Sequence, residues 1–495
     1  MSTVRKGLIG SALLVVESLS NKLIGLVSTL ILARVLVPED FGLVAIAVLL
    51  LNFLEVLSQT GSLQYLLRID SITSSDVNTS WTINFLIKVP LAILFAFLAP
   101  TISGYYDDER LTEIIYVFSV LIVIQCLRSP GGAFLRREHN YTPIVKVALL
   151  SKFLSVIVAI SIALIYQSYW ALVLGQFTNN LVSCLGSYFI HPHRPWFTLQ
   201  NAKRQWEFSG WMVPQSVVGF FRTQLDTLMV SATFGKDILG SYHIMKYLAF
   251  IPSAYIILPA TQPLLVELRK VKNSEFFLRK QFNVSFLVML VLAVPLVTLI
   301  SLCHQLIISV LLGENWVPYS NLFSIFGFLI ISAATLQQSI RILLVFGHTR
   351  NIFLYELSSF IIIYSTLFWF GIEDIIAFSQ IRVGLEALLT LTLFVYVVVK
   401  FTGIINLGRI LYAAVPLIIG CGISAMLAQE ALNVFENDFF NLLFVCSVFY
   451  TSLALILATL SFSIFRKTVE WSYINQIIIN MFSSGKTFLI RHFNK

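Results

Sequence analysis

Apolar runs of twenty or more residues follow one another along nearly the whole chain, separated by short polar or charged turns. A run of about 20 apolar residues crosses the hydrocarbon layer of a bilayer as a helix. We read fourteen spans, at roughly 7–34, 41–67, 80–103, 112–135, 142–166, 169–190, 206–234, 238–267, 280–312, 319–346, 351–371, 374–400, 408–429 and 439–465. Several exceed the minimum length, which implies tilt or extension beyond the bilayer. The longest connections, around 100–111, 191–205 and 268–279, are too short for a soluble catalytic domain. The expected fold class is all-α and polytopic.

The spans carry an internal repeat. "LARVLVPEDFGLVAIAV" (32–48) aligns with "VSATFGKDILGSYHIMK" (230–246), so that Asp40 falls on Asp237 and Gly42, after a one-residue insertion, on Gly240. In each, a long apolar helix ends, a short acidic turn follows and a second long helix begins. The two copies sit at the junctions of spans one/two and seven/eight, on the same side. They are therefore parallel repeats about an axis along the membrane normal. The implied organisation is two pseudo-symmetric six-helix lobes, 1–195 and 196–400, two further helices in 401–467, and a tail, 468–495. In the tail, Trp471, Ile474, Ile477, Ile478, Met481 and Phe482 recur at helical spacing. That pattern predicts an amphipathic helix lying on the inner leaflet.

Composition agrees with this picture. Hydrophobic residues make up 57% of the 495, charged residues 12%, and the mean hydropathy is +0.85; soluble domains carry roughly 25% charged residues. The net charge of +8 lies mostly in short loops, where it sets topology and does not mark a nucleic-acid surface. With the N-terminus cytoplasmic, 22 Lys and Arg fall inside and only Arg34, Arg110 and Lys236 outside. Both termini are then cytoplasmic. The outer loops are acidic, as in "YYDDER" (105–110) and "GIED" (371–374). The basic N-terminus precedes an apolar stretch too long for a signal peptide. The five cysteines lie in apolar segments with no CxxC spacing, which indicates neither a disulfide framework nor a metal site. No nucleotide-binding, zinc-protease, hydrolase or kinase motif is present. His191 and His193, in the basic loop, are expected to be solvated.

The candidate chemistry lies in charges inside the spans, where each costs roughly 2.5–3.5 kcal/mol or more on insertion scales. The cations are Lys22, Lys88, Arg128, Lys152, Arg222, Lys246, Arg341 and Arg382; the anions are Glu17, Glu55, Asp226, Glu356 and Glu386. Arg222 and Asp226, and again Arg382 and Glu386, are four apart and share a helix face. Each pair is read either as self-neutralising or as lining a cavity. Lys22 and Lys152 have no acid four residues away and lie too deep for comfortable snorkelling. Lys88, Arg128 and Arg341 lie closer to span ends, or are harder to place, and are as consistent with snorkelling. Lys22 precedes Asp40 by 18 residues and Arg222 precedes Asp237 by 15, so the repeats place a cation within one helical turn of the same level. We expect a water-filled, cationic cavity suited to a large anion. Prolines 90, 130, 214, 252, 259, 263, 295 and 416 are expected to interrupt spans, most sharply at "SPGGAF" (129–134).

The opening "RKGLIGSALLVVESLSNKLIGLVSTLILARVLVPEDFGLVAIAV" resembles that of bacterial polysaccharide-transporter flippases, members of the multidrug/oligosaccharidyl-lipid/polysaccharide exporter superfamily. The carrying motif is "ARVLVPEDFG" (33–42). In "FSGWMVPQSVVGFFRTQLDTLMVSATFGKDILGSYHIMKYLA" (208–249), Arg222, Asp226 and the turn Gly235–Tyr242 occupy the places of the family's seventh and eighth helices. The resemblance implies an alternating-access transporter in the bacterial cytoplasmic membrane. It would move a polyprenyl-pyrophosphate-linked oligosaccharide to the outer leaflet for O-antigen, capsule or exopolysaccharide assembly, without a cofactor. It names Lys22 and Arg222 first, then Lys246 and Lys152, with Arg382 also in the cationic set, as phosphate contacts. Asp226, Glu17, Glu55 and Glu386 become candidates for coupling to a proton or sodium. Membrane lipid, a polymerase and a chain-length regulator are the implied partners. A lipid-linked peptidoglycan precursor flippase and a cation-coupled drug antiporter of the same superfamily remain alternatives. So does, from another class, a membrane glycosyl polymerase or ligase.

Overall fold

The computed structural model describes residues 3–58, 61–69, 71–138, 140–209, 212–257, 274–346, 348–370, 373–432, 434–463, 465, 468 and 471–472. Among these there is helix and no strand. The chain divides into two compact units between His243 and Ile244.

The first unit holds α1 (Thr3–Val35), α2 (Pro38–Leu57), α3 (Ser62–Arg68), α4 (Ser74–Tyr105) and α5 (Arg110–Leu127). It continues with α6 (Gly132–Arg137), α7 (Thr142–Tyr166), α8 (Trp170–Ile190), α9 (Ala202–Ser209), α10 (Met212–Thr233) and the start of α11 (Lys236–Pro252). Helix starts follow local chemistry. Pro38 opens α2, where its missing N–H costs nothing, with Glu39 and Asp40 in the first turn. At α4, Thr73 and Asp76 form a reciprocal capping box. Helix α7 buries Ser151, Ser155, Ala159 and Ala163 at four-residue intervals. That stripe of small residues lets α8 approach closely. Where α8 meets it, a Cβ on Gly175 would lie 2.9 Å from that of Ala159.

Residues 191–201 form a largely exposed loop that is pinned by side-chain contacts, with His191 and His193 half-buried and not fully solvated. His193 Nε2 lies 2.9 Å from Asn78 Oδ1, and His191 stacks on Phe134 at 5.2 Å between ring centroids. Thr198 N–H donates to Thr82 Oγ1 at 3.0 Å, and Asn201 Nδ2 to Asp76 Oδ1 at 2.6 Å. Burial and the neighbouring His191 and Arg194 charges lower the His193 pKa from its usual value.

The second unit continues α11 and passes through a π-helical turn, Ser253–Ile257. It then runs through α12 (Glu275–Leu312), a 3₁₀ turn (Glu314–Tyr319), α13 (Ser320–Gly327), α14 (Leu329–Val345), α15 (Thr349–Phe370), α16 (Ile375–Thr402), α17 (Ile404–Glu430) and α18 (Asp438–Phe462). Asp374, from the acidic "GIED", caps α16 by accepting from the N–H groups of Ile376 and Ala377. A single residue, Gly403 at φ +86°, separates α16 from α17. Helices α12, α17 and α18 bury Leu299, Cys303, Leu417, Cys421, Val445, Phe449 and Leu453 together. Several turns away on α12 and α17, Asn283 and Asn406 exchange amide hydrogen bonds at 2.9 and 2.8 Å.

The all-helical polytopic class is borne out, and the details differ. Eleven helices among the described residues are long and apolar enough to cross a membrane. Three at expected spans fall outside that set. Helix α11 has 17 residues, while α8 and α10 carry Gln176–Asn180 and Arg222–Asp226. The count of fourteen is not established. Pro90 and Pro416 sit inside continuous helices, as does Pro295, whose helix α12 departs from helical dihedrals at Cys303 instead. Prolines of this kind are tolerated where neighbouring helices and hydroxyl side chains satisfy the freed carbonyls. Prolines 259 and 263, the basic stretch 268–273 and the tail from 473 lie outside the described residues. The tail's first aromatic, Trp471, is buried and donates its indole N–H to Ala413 O at 2.9 Å.

Candidate functional site

In the first unit, α1 packs on α7, and two of the expected cations meet there. A Cβ on Gly25 would lie 3.6 Å from both Cε and Nζ of Lys152. Gly25 follows Lys22 by three residues, so the Lys152 ammonium reaches the face of α1 that carries Lys22. Lys152 makes no hydrogen bond or ion pair among the described residues, although it stands ten residues inside an apolar helix. Glu17 accepts from Asn21 Nδ2 at 3.2 Å, a contact local to α1.

Asp226 of α10 is fully buried. Tyr242 Oη donates to its Oδ2 at 3.0 Å and the Thr227 N–H to its Oδ1 at 2.8 Å. The carboxylate thus braces α10 against α11 across the repeat's second turn. Arg222 lies one turn earlier, half-buried. In the second unit, Arg382 and Glu386 form the ion pair their spacing suggested, at 3.1 Å. Lys246, half-buried on α11, belongs to that unit too.

Glu55 enters a chain of contacts that sequence reasoning missed. Gln125 of α5 donates from Nε2 to Glu55 at 2.6 Å and to Asn180 Oδ1 of α8 at 3.3 Å. Its Oε1 accepts from Lys88 of α4 at 3.4 Å. Four helices are therefore tied at one level by a carboxylate, two amides and an ammonium. Gln125 and Asn180 are neutral, and a search for intramembrane charge passes over them. Their one signal is an amide inside an apolar run.

A second missed feature lies where the repeat's two turns meet. Asp108, 8% exposed, receives Lys236 Nζ at 2.5 Å and the Arg110 guanidinium at 2.8 Å; Arg110 also reaches Glu39 at 2.5 Å. Burial pushes the Asp108 pKa up, but the hydrogen bonds from Arg110 and Lys236 outweigh it and bring it down to about 2. Beside this cluster the backbones cross in contact. A Cβ on Gly42 would fall 1.9 Å from Lys236 O, and one on Gly240 2.0 Å from Pro38 O. The two glycines matched by the repeat are the two that touch.

This helical, multi-pass membrane fold is shared by solved membrane proteins. The structure titled "Lipid II flippase MurJ, inward closed conformation" superposes with a TM-score of 0.71 at 12% identity, covering 91% of this chain and 100% of that one. A multidrug resistance MATE family transporter of the MOP superfamily, in an inward-facing conformation, superposes with a TM-score of 0.56 at 11% identity, over 79% and 95%. At such identities the likeness shows the fold alone. Residues 31–321, more than half of the chain, match the polysaccharide biosynthesis protein family, and the chain belongs to it. Lipopolysaccharide biosynthesis protein WzxC of Escherichia coli K12 is 21% identical over 320 residues, 62% of this chain and 64% of its own length. The succinoglycan biosynthesis transport protein ExoT of Rhizobium meliloti is 26% identical over 230 residues, 46% of each. An uncharacterized membrane protein in the cps region of Klebsiella pneumoniae is 21% identical over 343 residues, 66% of this chain and 71% of its own length.

Proposed function

We propose that this chain is an alternating-access flippase of the bacterial cytoplasmic membrane. It carries a polyprenyl-pyrophosphate-linked oligosaccharide from the inner to the outer leaflet for surface polysaccharide assembly, and it catalyses no covalent step. The observation that carries the reading is the Lys152 ammonium, set without a protein partner among the described residues against the Lys22 face of α1. An ammonium held in an apolar surrounding is costly until an anion or water answers it. A pyrophosphate supplies charge and several acceptors at once, and charge-assisted hydrogen bonds to it are strong. In this reading Lys22, Lys152 and Arg222 of the first unit receive the pyrophosphate, while the lipid tail stays in the bilayer; Lys246 and Arg382 are the second unit's candidate cations. Arg382 contributes less, because Glu386 already answers its charge. Asp226, Glu17, Glu55 and Glu386 are the carboxylates available for coupling to a proton or sodium. Both termini face the cytoplasm, and a polymerase and a chain-length regulator act on the exported unit.

Lys22→Ala and Lys152→Ala are expected to abolish surface polymer while the protein remains in the membrane. Immunoblotting of membranes alongside polymer staining measures both. Normal polymer display by both variants overturns the reading. The lipopolysaccharide biosynthesis and succinoglycan biosynthesis transport for which the two relatives are named favour an oligosaccharide cargo. A second reading takes as cargo a lipid-linked peptidoglycan precursor, the lipid II for which the flippase of shared fold is named. Depletion separates them. Polymer loss with normal growth supports the first, and lysis from wall failure the second.

A further inference from the structure

A separate pocket of about 300 Å³ opens within the first unit at the "SPGG" break between α5 and α6. Three cations line it, Lys88 from α4, Arg128 at the end of α5 and Arg136 from α6, and no carboxylate does. Arg128 and Arg136 make no ion pair or hydrogen bond among the described residues. Glu55 stands behind Gln125, outside the wall. The wall also holds Trp81, 8% exposed, whose buried indole N–H has no hydrogen-bond partner. Gly132 borders the space with nothing within 4 Å of where its Cβ would be. The rest of the wall is mixed, with polar side chains such as Ser80, Asn84 and Ser187 beside apolar ones such as Leu66, Ile144 and Ile190.

Three like charges gathered around one space repel one another, and an anion between them relieves that repulsion. Two of the three are guanidiniums, whose planar forks match phosphate oxygens in pairs. The unused indole N–H is a further donor of the kind a buried oxygen would satisfy. The volume is at the lower end for small-ligand sites, enough for a phosphate and a few carbons rather than an oligosaccharide. Apolar side chains beside the cations suit carbon chains leaving the phosphate. We propose that this pocket binds the phosphate of a phosphorylated lipid headgroup, at a site distinct from the Lys22–Lys152 face.

The test uses the full chain in detergent and native mass spectrometry. Its probes are dioctanoyl phosphatidylglycerol, dioctanoylglycerol without phosphate, and inorganic phosphate. Saturable binding of phosphatidylglycerol and none of dioctanoylglycerol is expected. Arg128→Gln and Arg136→Gln should each weaken it about tenfold, the worth of one charge-assisted hydrogen bond. Arg128→Lys should retain more binding than Arg128→Gln, and Lys203→Gln, on the exposed side of α9, should change nothing. Thermal midpoints without ligand show whether each variant is folded; if a Gln variant is not, Arg128→Lys and Lys88→Met carry the comparison. Competition by a polyprenyl pyrophosphate identifies the headgroup as the cargo's. Its failure to compete identifies a resident phospholipid. Both outcomes support a lipid phosphate. Unchanged affinity in folded Arg128→Gln, Arg136→Gln double variants overturns the site. Displacement by inorganic phosphate at equal concentration overturns the lipid assignment.

Discussion

Gly42→Ala is expected to destabilise the protein severely and to remove most of it from the membrane. The added Cβ would lie 1.9 Å from Lys236 O, far inside contact distance, and the atom it meets is backbone. No rotamer change relieves the clash, so α2 and α11 must part by more than 1 Å. Overpacking of this kind typically costs about 1–3 kcal/mol, and here the separation also pulls on the Asp108 cluster. Gly240→Ala meets Pro38 O at 2.0 Å and should have the same effect. Because both clashes are relieved by one separation, the double variant should cost less than the sum. Gly104→Ala, with nothing within 4 Å of its Cβ, is the neutral control. The thermal midpoint and membrane abundance of the full chain check this. Wild-type values for both glycine variants would show that the two turns do not need close contact.

The repeat led to this crossing without revealing it. Aligning Asp40 with Asp237 and Gly42 with Gly240 needs only the residues, because turns between long apolar runs stand out. That the matched glycines touch is tertiary information no one-dimensional pattern carries. Helix class was legible because an apolar run of span length has few other solutions in a bilayer. Helix breaks were less legible. The SPGG break was anticipated, but Pro295 predicted a break that Cys303 makes. Among charges, the i,i+4 rule found Arg382–Glu386. It was silent on Asp108–Lys236, 128 residues apart, and on the neutral amides Gln125 and Asn180. Lys88 and Arg128 were set aside as near span ends or hard to place. Only the folded wall shows that they share a space with Arg136.

Asp108→Asn is the second substitution with a large expected effect. The charge pattern left just Arg34, Arg110 and Lys236 outside, and two of those three converge on this carboxylate. Its pKa falls from an ordinary 3.8 to about 2, so folding favours the charged form. A shift of that size corresponds to about 2 kcal/mol of stabilisation. The sign follows from the direction. A depressed carboxylate contributes fully above its unfolded pKa, near 4, and loses that contribution as pH falls through about 2. Wild type should therefore exceed Asp108→Asn by a constant margin between pH 5 and 8, and the two should converge at the acid end, as far as the wild type stays folded. The amide also leaves Arg110 and Lys236 close together without the carboxylate between them, which adds repulsion near neutrality. Lys236→Met should cost less, since Arg110 still holds Asp108. A double-mutant cycle between positions 108 and 236 should return a coupling of about 1 kcal/mol or more. Additive effects would mean that the ion pair does not tie α11 to the α4–α5 turn. A coupling of that size would make Asp108 a tie between the repeat's second turn and the first unit, holding shut the crossing that Gly42 and Gly240 permit.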